Sequence, residues 1–415
     1  MKRITLKPGE EDRILRGHPW IYDNEITEDA SYDLEPGEYV DVESHNKKYI
    51  GRAFVNPLSK IRGRIFSRSK EGVDKGFFKR RIREAIDRRL ALYDLNRESA
   101  RLVFGEADFL PGLVVDSFTG IPYKKGETLE AENFNSWLSV QFLTAATDAR
   151  RDEIIEALLD VTDATFNSPS GIIERGGETA RKLEGLLPRS EIIYGNVPDE
   201  GIIITENHLP FFVNLAKGQK TGYFLDQKNN RLAAASFAKG ARCLDLFCHT
   251  GGFAIHAAEF GASEITAVDT SAQALSALKR CVELNAEVRG KIQILEEDAF
   301  EALRRLDRAG ERFDWIVLDP PAFAKSRRNL AGALRGYKEI NLTALKLLEK
   351  GGILISCSCS SALREETFKQ VVASAAFDAG KRLHRLSFTY QSPDHPVLEG
   401  FEESLYLKCG IYRVL

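Results

Sequence analysis

From about residue 211 the chain repeats one pattern, a short apolar run followed by a helical stretch, and this repetition restricts the fold more than any other feature. The runs are Arg242 to Phe247, Glu264 to Val268, Ile292 to Leu295, Asp314 to Leu318 and Ile353 to Cys357. Strands joined through helices need crossover connections, so they lie parallel with both sheet faces covered. The expected architecture is a doubly wound α/β sheet. Two last segments, His384 to Gln391 and Ser404 to Leu415, are strand-like with no helix between them and predict a terminal hairpin. The C-terminal ends of the runs carry Asp245, Asp269, Asp298, Asp319 and Cys359 in order. Ligands of open α/β sheets bind at that edge, so these side chains are candidates for one shared pocket.

The chain holds 415 residues, of which 43% are apolar, more than one typical core requires. Residues 1–73 read as a small-β module, with alternating runs Gly37 to Ser44 and Tyr49 to Val55 set between Pro-Gly and His-Pro punctuation. Residues 76–200 read as a second, α+β unit. It begins with a helix whose Phe78, Ile82, Ile86, Leu90 and Tyr93 share one face, and it includes a polar surface loop at about 119–136. The α/β domain then spans 205–415, so the prediction is a multidomain α/β protein.

Formal net charge is −3, but the segment Lys60 to Arg89 carries twelve Lys/Arg against four Asp/Glu, a local excess of +8. A basic segment on an otherwise acidic protein is a candidate polyanion footprint, with Arg80, Arg81 and Arg88 as its proposed contacts. A solvated helix face is the plainer alternative. No run approaches the roughly 18 apolar residues of a membrane span, and the N-terminal stretch lacks a signal-peptide core, so a cytoplasmic location is expected. The six cysteines show neither a disulfide framework nor zinc spacing, so they are read as reduced thiols and no metal is expected.

After the first strand the turn is Cys248-His249-Thr250-Gly251-Gly252, without the G-x-G-x-x-G that a pyrophosphate requires. A tight glycine turn beneath an acid suits S-adenosylmethionine, which has no phosphate. Asp245 is then placed for the cofactor ammonium, Asp269 for the ribose hydroxyls and Asp298 for the adenine amino group. Singly, each acid has the ordinary role of a helix N-cap; the three in register define a pocket. Asp319-Pro320-Pro321 forms a rigid corner that can face an inserted base, with Phe323 available to stack. Cys359 supplies a nucleophile, because carbon 5 of cytosine gains reactivity when a thiolate adds to carbon 6. Cys357 and Cys248 are read as packing and pocket lining, respectively.

These motifs resemble a known family: bacterial large-subunit ribosomal RNA cytosine-C5 methyltransferases with an N-terminal PUA domain. The resemblance runs through Leu6 to Ile26, Phe104 to Asp116, Lys220 to Arg231, LDLFCHTGGFA, Ala267 to Leu275, LDPPAF, ISCSCS and Asp394 to Val397. It implies a class I methyltransferase domain using S-adenosylmethionine, a PUA module for RNA and a central domain helping to form the RNA cleft. It carries the catalytic cysteine onto Cys359 and cofactor contacts onto Tyr223, Phe224, Asp245, Phe247, Gly251, Asp269, Asp298 and Asp319. Cys357 departs from the pattern, standing where an apolar residue is expected. A homodimer is compatible with this reading. Two other readings stay open: an exocyclic-amine methyltransferase acting on adenine or guanine in RNA, and a noncatalytic RNA-binding assembly factor that retains the fold.

Overall fold

The computed structural model describes residues 1–27, 34–126, 134–218, 221–323 and 329–415. The part of the expected surface loop at 127–133, and Lys220 of the Lys220 to Arg231 motif, lie outside the described residues. The chain divides into two compact units. The first holds residues 1–205, 213–225 and 393–404; the second holds 206–212, 226–392 and 405–415.

In the first unit, β1 (Arg3–Thr5), α1 (Glu11–Leu15), β2 (Trp20–Tyr22), β3 (Tyr39–Glu43), β4 (Tyr49–Val55) and β5 (Ile61–Ser67) form the small-β module. Its sheet order is β1-β3-β4-β5-β2 around a core that includes Ile4, Ile14, Ile21, Val40, Val42 and Ile65. α2 (Lys75–Leu90) starts at Asp74, whose side chain accepts a hydrogen bond from the Phe77 backbone N–H at 2.7 Å. Then come β6 (Ala100–Phe104), β7 (Leu113–Pro122), β8 (Asn135–Phe142), α3 (Ala145–Ala149), α4 (Arg151–Asp163), β9 (Gly171–Arg175), α5 (Glu178–Leu183), β10 (Ser190–Gly195) and β11 (Ile202–Glu206). These strands are ordered β10-β9-β8-β7-β11, with β6 also on β7. The residue ranges 1–73 and 76–200 share one hydrophobic core, in which Phe54 and Phe66 of the small-β module meet Phe77 and Phe78 of α2. Arg64 reinforces this junction, reaching Glu106 at 2.7 Å and Glu184 at 2.9 Å.

The buried face of α2 differs from the expected one at its end. Leu90 is exposed, whereas Arg89 is buried and paired in bidentate fashion with Asp108 at 2.7 Å for both bonds. Its other donors reach the carbonyl oxygens of Arg101, Ala85 and Asp394. A long side chain with five donors is buried here because every one of its directions meets an acceptor.

The chain passes along β12 (Leu209–Val213) and later through α6 (Lys228–Ala235) to the α/β sheet of the second unit. There β13 (Arg242–Leu246), α7 (Gly252–Glu259), β14 (Glu264–Asp269), α8 (Ala272–Leu284), β15 (Ile292–Glu296), α9 (Ala299–Arg308) and β16 (Phe313–Leu318) alternate as predicted. They are followed by α10 (Leu330–Leu347), β17 (Leu348–Ser358), α11 (Glu365–Asp378), β18 (Leu383–Thr389) and β19 (Lys408–Val414). The order is β15-β14-β13-β16-β17-β19-β18, parallel except that β19 runs antiparallel to both its neighbours. The terminal hairpin is therefore present, with β19 inserted between β17 and β18. Winding reverses between β13 and β16, which opens a crevice at the C-terminal ends of these two strands. Leu244, Leu246, Ile316, Leu318 and Leu354 bury the central strands against the helices. Among the described residues no helix is long and apolar enough to cross a membrane.

Candidate active site

The turn after β13 is backbone-strained in a way the sequence does not advertise. Phe247 and His249 have φ of 62° and 50°, beside Gly251 at 78°. Gly251 is required twice over: its φ disfavours a side chain, and a Cβ there would lie 2.1 Å from Leu278 Cδ1. The bend is held by the Asp269 carboxylate, which accepts hydrogen bonds from His249 N at 2.9 Å and Ser271 N at 2.8 Å. Asp269 thus ties the end of β14 to the glycine turn.

Asp245 is fully buried beneath that turn. Its Oδ2 accepts a hydrogen bond from Ala254 N in α7 at 3.0 Å, while Oδ1 has no hydrogen-bond partner among the described residues. Burial pushes its carboxyl well above the usual carboxylate range, and the charges of Asp319 and Asp269 add to the shift. A buried acid with one oxygen unmatched is a receptor for a cation or a donor, which fits the ammonium of S-adenosylmethionine. Asp298 is exposed, and its Oδ1 caps α9 by accepting from Phe300 N at 2.9 Å and Glu301 N at 3.1 Å. All three acids therefore hold helix or turn N–H groups, and Asp245 alone of the three keeps an unmatched buried oxygen. Tyr223 is buried and Phe224 half-buried in the 213–225 segment of the first unit.

The corner after β16 and the thiol after β17 do meet. Cys359 Sγ lies 3.8 Å from the Pro320 carbonyl oxygen, although 39 residues separate them. Of the six cysteines only Cys359 is partly exposed; the other five are buried. Burial pushes the thiols of Cys357 and Cys248 well above their ordinary range and Cys281 to about 12. Cys357 stands opposite Cys409 across the β17–β19 pair, and its hydrogen bond with that thiol raises it further. An interior partner on the neighbouring strand explains why a cysteine occupies this apolar position.

Gln227 and Asn230, to which sequence reasoning assigned no role, complete the corner. Gln227 Nε2 donates to Asp319 Oδ1 at 3.0 Å, and its Oε1 accepts from Asn230 Nδ2 at 2.6 Å. Asn230 Oδ1 in turn accepts from the Thr389 hydroxyl at 2.8 Å. The signal was their place in the motif ending at Arg231. A row of side-chain amides beside a buried helix start has no packing purpose of its own.

Two expectations need correction. The Phe323 ring, expected to be available for stacking on a base, packs instead within the protein, 4.7 Å from Tyr337, 6.0 Å from Phe300 and 6.4 Å from Phe247 by ring centroids. Ala322 displaces the aromatic by one position, and the rings of α9 and α10 take it in. The basic face of α2 is also less cationic than a count along the chain suggests. Arg80 and Arg81 pair with Glu71 at 3.3 and 2.6 Å, and Arg88 reaches Asp108 at 2.8 Å. Lys75 and Lys79 pair with Glu156 and Asp160 of α4. Glu71 lies within the counted segment, whereas Asp108, Glu156 and Asp160 are supplied by the fold from outside it.

Residues 4–68 match the PUA-like domain family, and residues 179–403 match the S-adenosylmethionine-dependent methyltransferase family. The ribosomal RNA large subunit methyltransferase I of Pseudoalteromonas atlantica is 38% identical over 415 residues, covering 100% of this chain and 99% of that protein. Its counterpart in Shewanella denitrificans is 38% identical over 417 residues, with 99% of each chain covered. A methyltransferase from Streptococcus mutans shares the fold over 100% of both chains, with a TM-score of 0.82 and 22% identity. A methyltransferase solved with S-adenosylhomocysteine has a TM-score of 0.83, also at 22% identity and full coverage. The chain therefore belongs to the family of S-adenosylmethionine-dependent methyltransferases, with a PUA-like domain at residues 4–68.

Proposed function

We propose that this protein methylates carbon 5 of a cytosine in large-subunit ribosomal RNA and that Cys359 is its nucleophile. The observation that carries the reading is the partly exposed Cys359 thiol at the Pro320 carbonyl, beside Asp319. The names of the full-length relatives support the RNA substrate, and the PUA-like domain is the proposed RNA-binding module. S-adenosylmethionine, when bound, supplies an electrophilic methyl group on a sulfonium. Asp245 would hold its ammonium, Asp269 its ribose and Asp298 its adenine, with Phe247 and Gly251 lining the pocket.

The thiolate of Cys359 adds to carbon 6 of the cytosine, forming an S–C6 bond and pushing the C5–C6 π electrons onto carbon 5, which becomes nucleophilic. Asp319, held by Gln227, hydrogen-bonds the N3 and amino edge of the base and so stabilises the adduct. Loss of the carbon 5 proton after alkylation re-forms the double bond and expels the thiolate. The rigid Pro320 carbonyl fixes where the thiol stands before addition.

RNA containing 5-fluorocytidine tests this directly, because fluorine cannot leave as a proton does. Wild-type protein with cofactor should form a covalent adduct, and Cys359→Ala should form none while still binding cofactor. Cys357→Ala should keep most activity. Methylation without Cys359, or an absolute need for Cys357, would overturn the assignment in favour of an exocyclic-amine methyltransferase.

A further inference from the structure

Cys359 sits between two serines whose hydroxyls point the other way. The Ser358 hydroxyl donates to Tyr337 Oη at 2.9 Å, Ser360 Oγ lies 3.1 Å from the same oxygen, and Ser360 N donates to Ser358 Oγ at 3.3 Å. Successive side chains of extended backbone alternate in direction, so a tyrosine that gathers both serines turns the intervening thiol outward. The chain beyond the thiol is gripped from the adjacent strand. Lys408, opposite Ser358 in the β17–β19 register, is only 2% exposed, yet its ammonium donates to the carbonyl oxygens of Ser360 at 2.8 Å and Leu363 at 2.7 Å.

A buried ammonium is costly without compensation. Among the described residues no carboxylate pairs directly with Lys408. The groups that act on it electrostatically are Cys359 and, from α11, Glu365. Glu365 is already engaged by Lys369 and accepts a hydrogen bond from the Tyr390 hydroxyl at 2.6 Å. Among the described residues Tyr337 of α10 also interacts electrostatically with the thiol, and Asp319 immediately precedes the Pro320 carbonyl on which the thiol rests. The anion best placed to balance this cation is the Cys359 thiolate.

We propose that Lys408 is the positioning residue of Cys359: it fixes the turn that follows the thiol, and its charge favours the thiolate over the thiol. This rests on the reading of Cys359 as nucleophile. Burial pulls the Lys408 ammonium down to about 8, while Cys359 and Glu365 act to keep it charged, so it is a cation at neutral pH. Above that value its proton is lost, and with it the support for the thiolate.

The rate of alkylation of the full-length protein by iodoacetamide, followed against pH, reads this coupling without requiring turnover. A Cys359→Ser protein subtracts any reaction at the buried cysteines. Wild-type Cys359 should titrate below the ordinary thiol value of about 8.5. Lys408→Met and Lys408→Gln should move the midpoint up by about one unit, slowing alkylation about tenfold at pH 7. Both should keep cofactor affinity, and Gln keeps a donor for one carbonyl, so folding and charge are read separately. Unshifted profiles in variants that still bind cofactor would overturn the proposal, as would a wild-type midpoint at or above the ordinary value. If the midpoints move as expected but no fluorocytidine adduct forms, the influence of Lys408 on the thiol stands and the nucleophile assignment falls.

Discussion

Replacing Asp245 with asparagine separates the charge of this group from its place in the fold. Asparagine keeps an oxygen for Ala254 N, so the start of α7 retains its hydrogen bond, whereas alanine would leave that N–H unmatched. What asparagine removes is the negative charge at the unmatched Oδ1. A hydrogen bond to a charged group is worth about 1.5 to 3 kcal/mol, so S-adenosylmethionine should bind roughly ten- to a hundredfold more weakly in calorimetry. Without cofactor the effect on stability reverses. The folded carboxyl is held above its unfolded value, so its contribution is present at low pH and lost as pH rises through the raised value. The melting temperature of Asp245→Asn relative to wild type should therefore increase from pH 4 to pH 8. Binding of the ammonium favours the ionised acid, so wild-type protein should release protons on binding, seen as an enthalpy that depends on the buffer, and the variant should release fewer. Unchanged affinity, or a variant less stable than wild type by the same margin at every pH, would refute the reasoning.

Other perturbations test the remaining parts of the site and fold. Gln227→Leu should leave cofactor affinity intact but slow adduct formation with fluorocytidine RNA, since it frees Asp319 from its amide donor; an unaltered rate would remove Gln227 from the corner. Gly251→Ala should cost at least about 2 kcal/mol in denaturant unfolding, from left-handed strain and overpacking together, with partial recovery in Gly251→Ala/Leu278→Ala. Asp108→Asn strands the buried Arg89 guanidinium and should destabilise the protein by about 3 to 5 kcal/mol in the same assay. Three arginines in contact with phosphates would change the salt slope of RNA binding by about 2. Because Arg80, Arg81 and Arg88 are already paired with acids, neutralising all three should change that slope by less than about 1.

Within each βα unit the sequence alone determined a great deal. The five predicted strands of the α/β sheet all form; β13, β14, β15 and β16 each differ by one residue at one end from their expected bounds, and β17 Leu348–Ser358 starts five residues earlier and ends one later than expected. The acids at the strand ends stand where the pattern put them, because hydrophobic period, turn chemistry and helix starts depend on residues only a few positions apart. Packing decided the rest. Gln227 reaches Asp319 across 92 residues, Lys408 reaches Ser360 across 48, and Cys409 faces Cys357 only because the hairpin inserts β19 beside β17. Segment arithmetic misjudged α2, since Asp108, Glu156 and Asp160, which neutralise part of its charge, come from outside the counted stretch. Local propensity can be read along the chain, whereas burial and pairing depend on which distant residues the folded chain brings into contact; that is why the strand end carrying Cys359 was legible and the buried Lys408 that grips the turn after it was not.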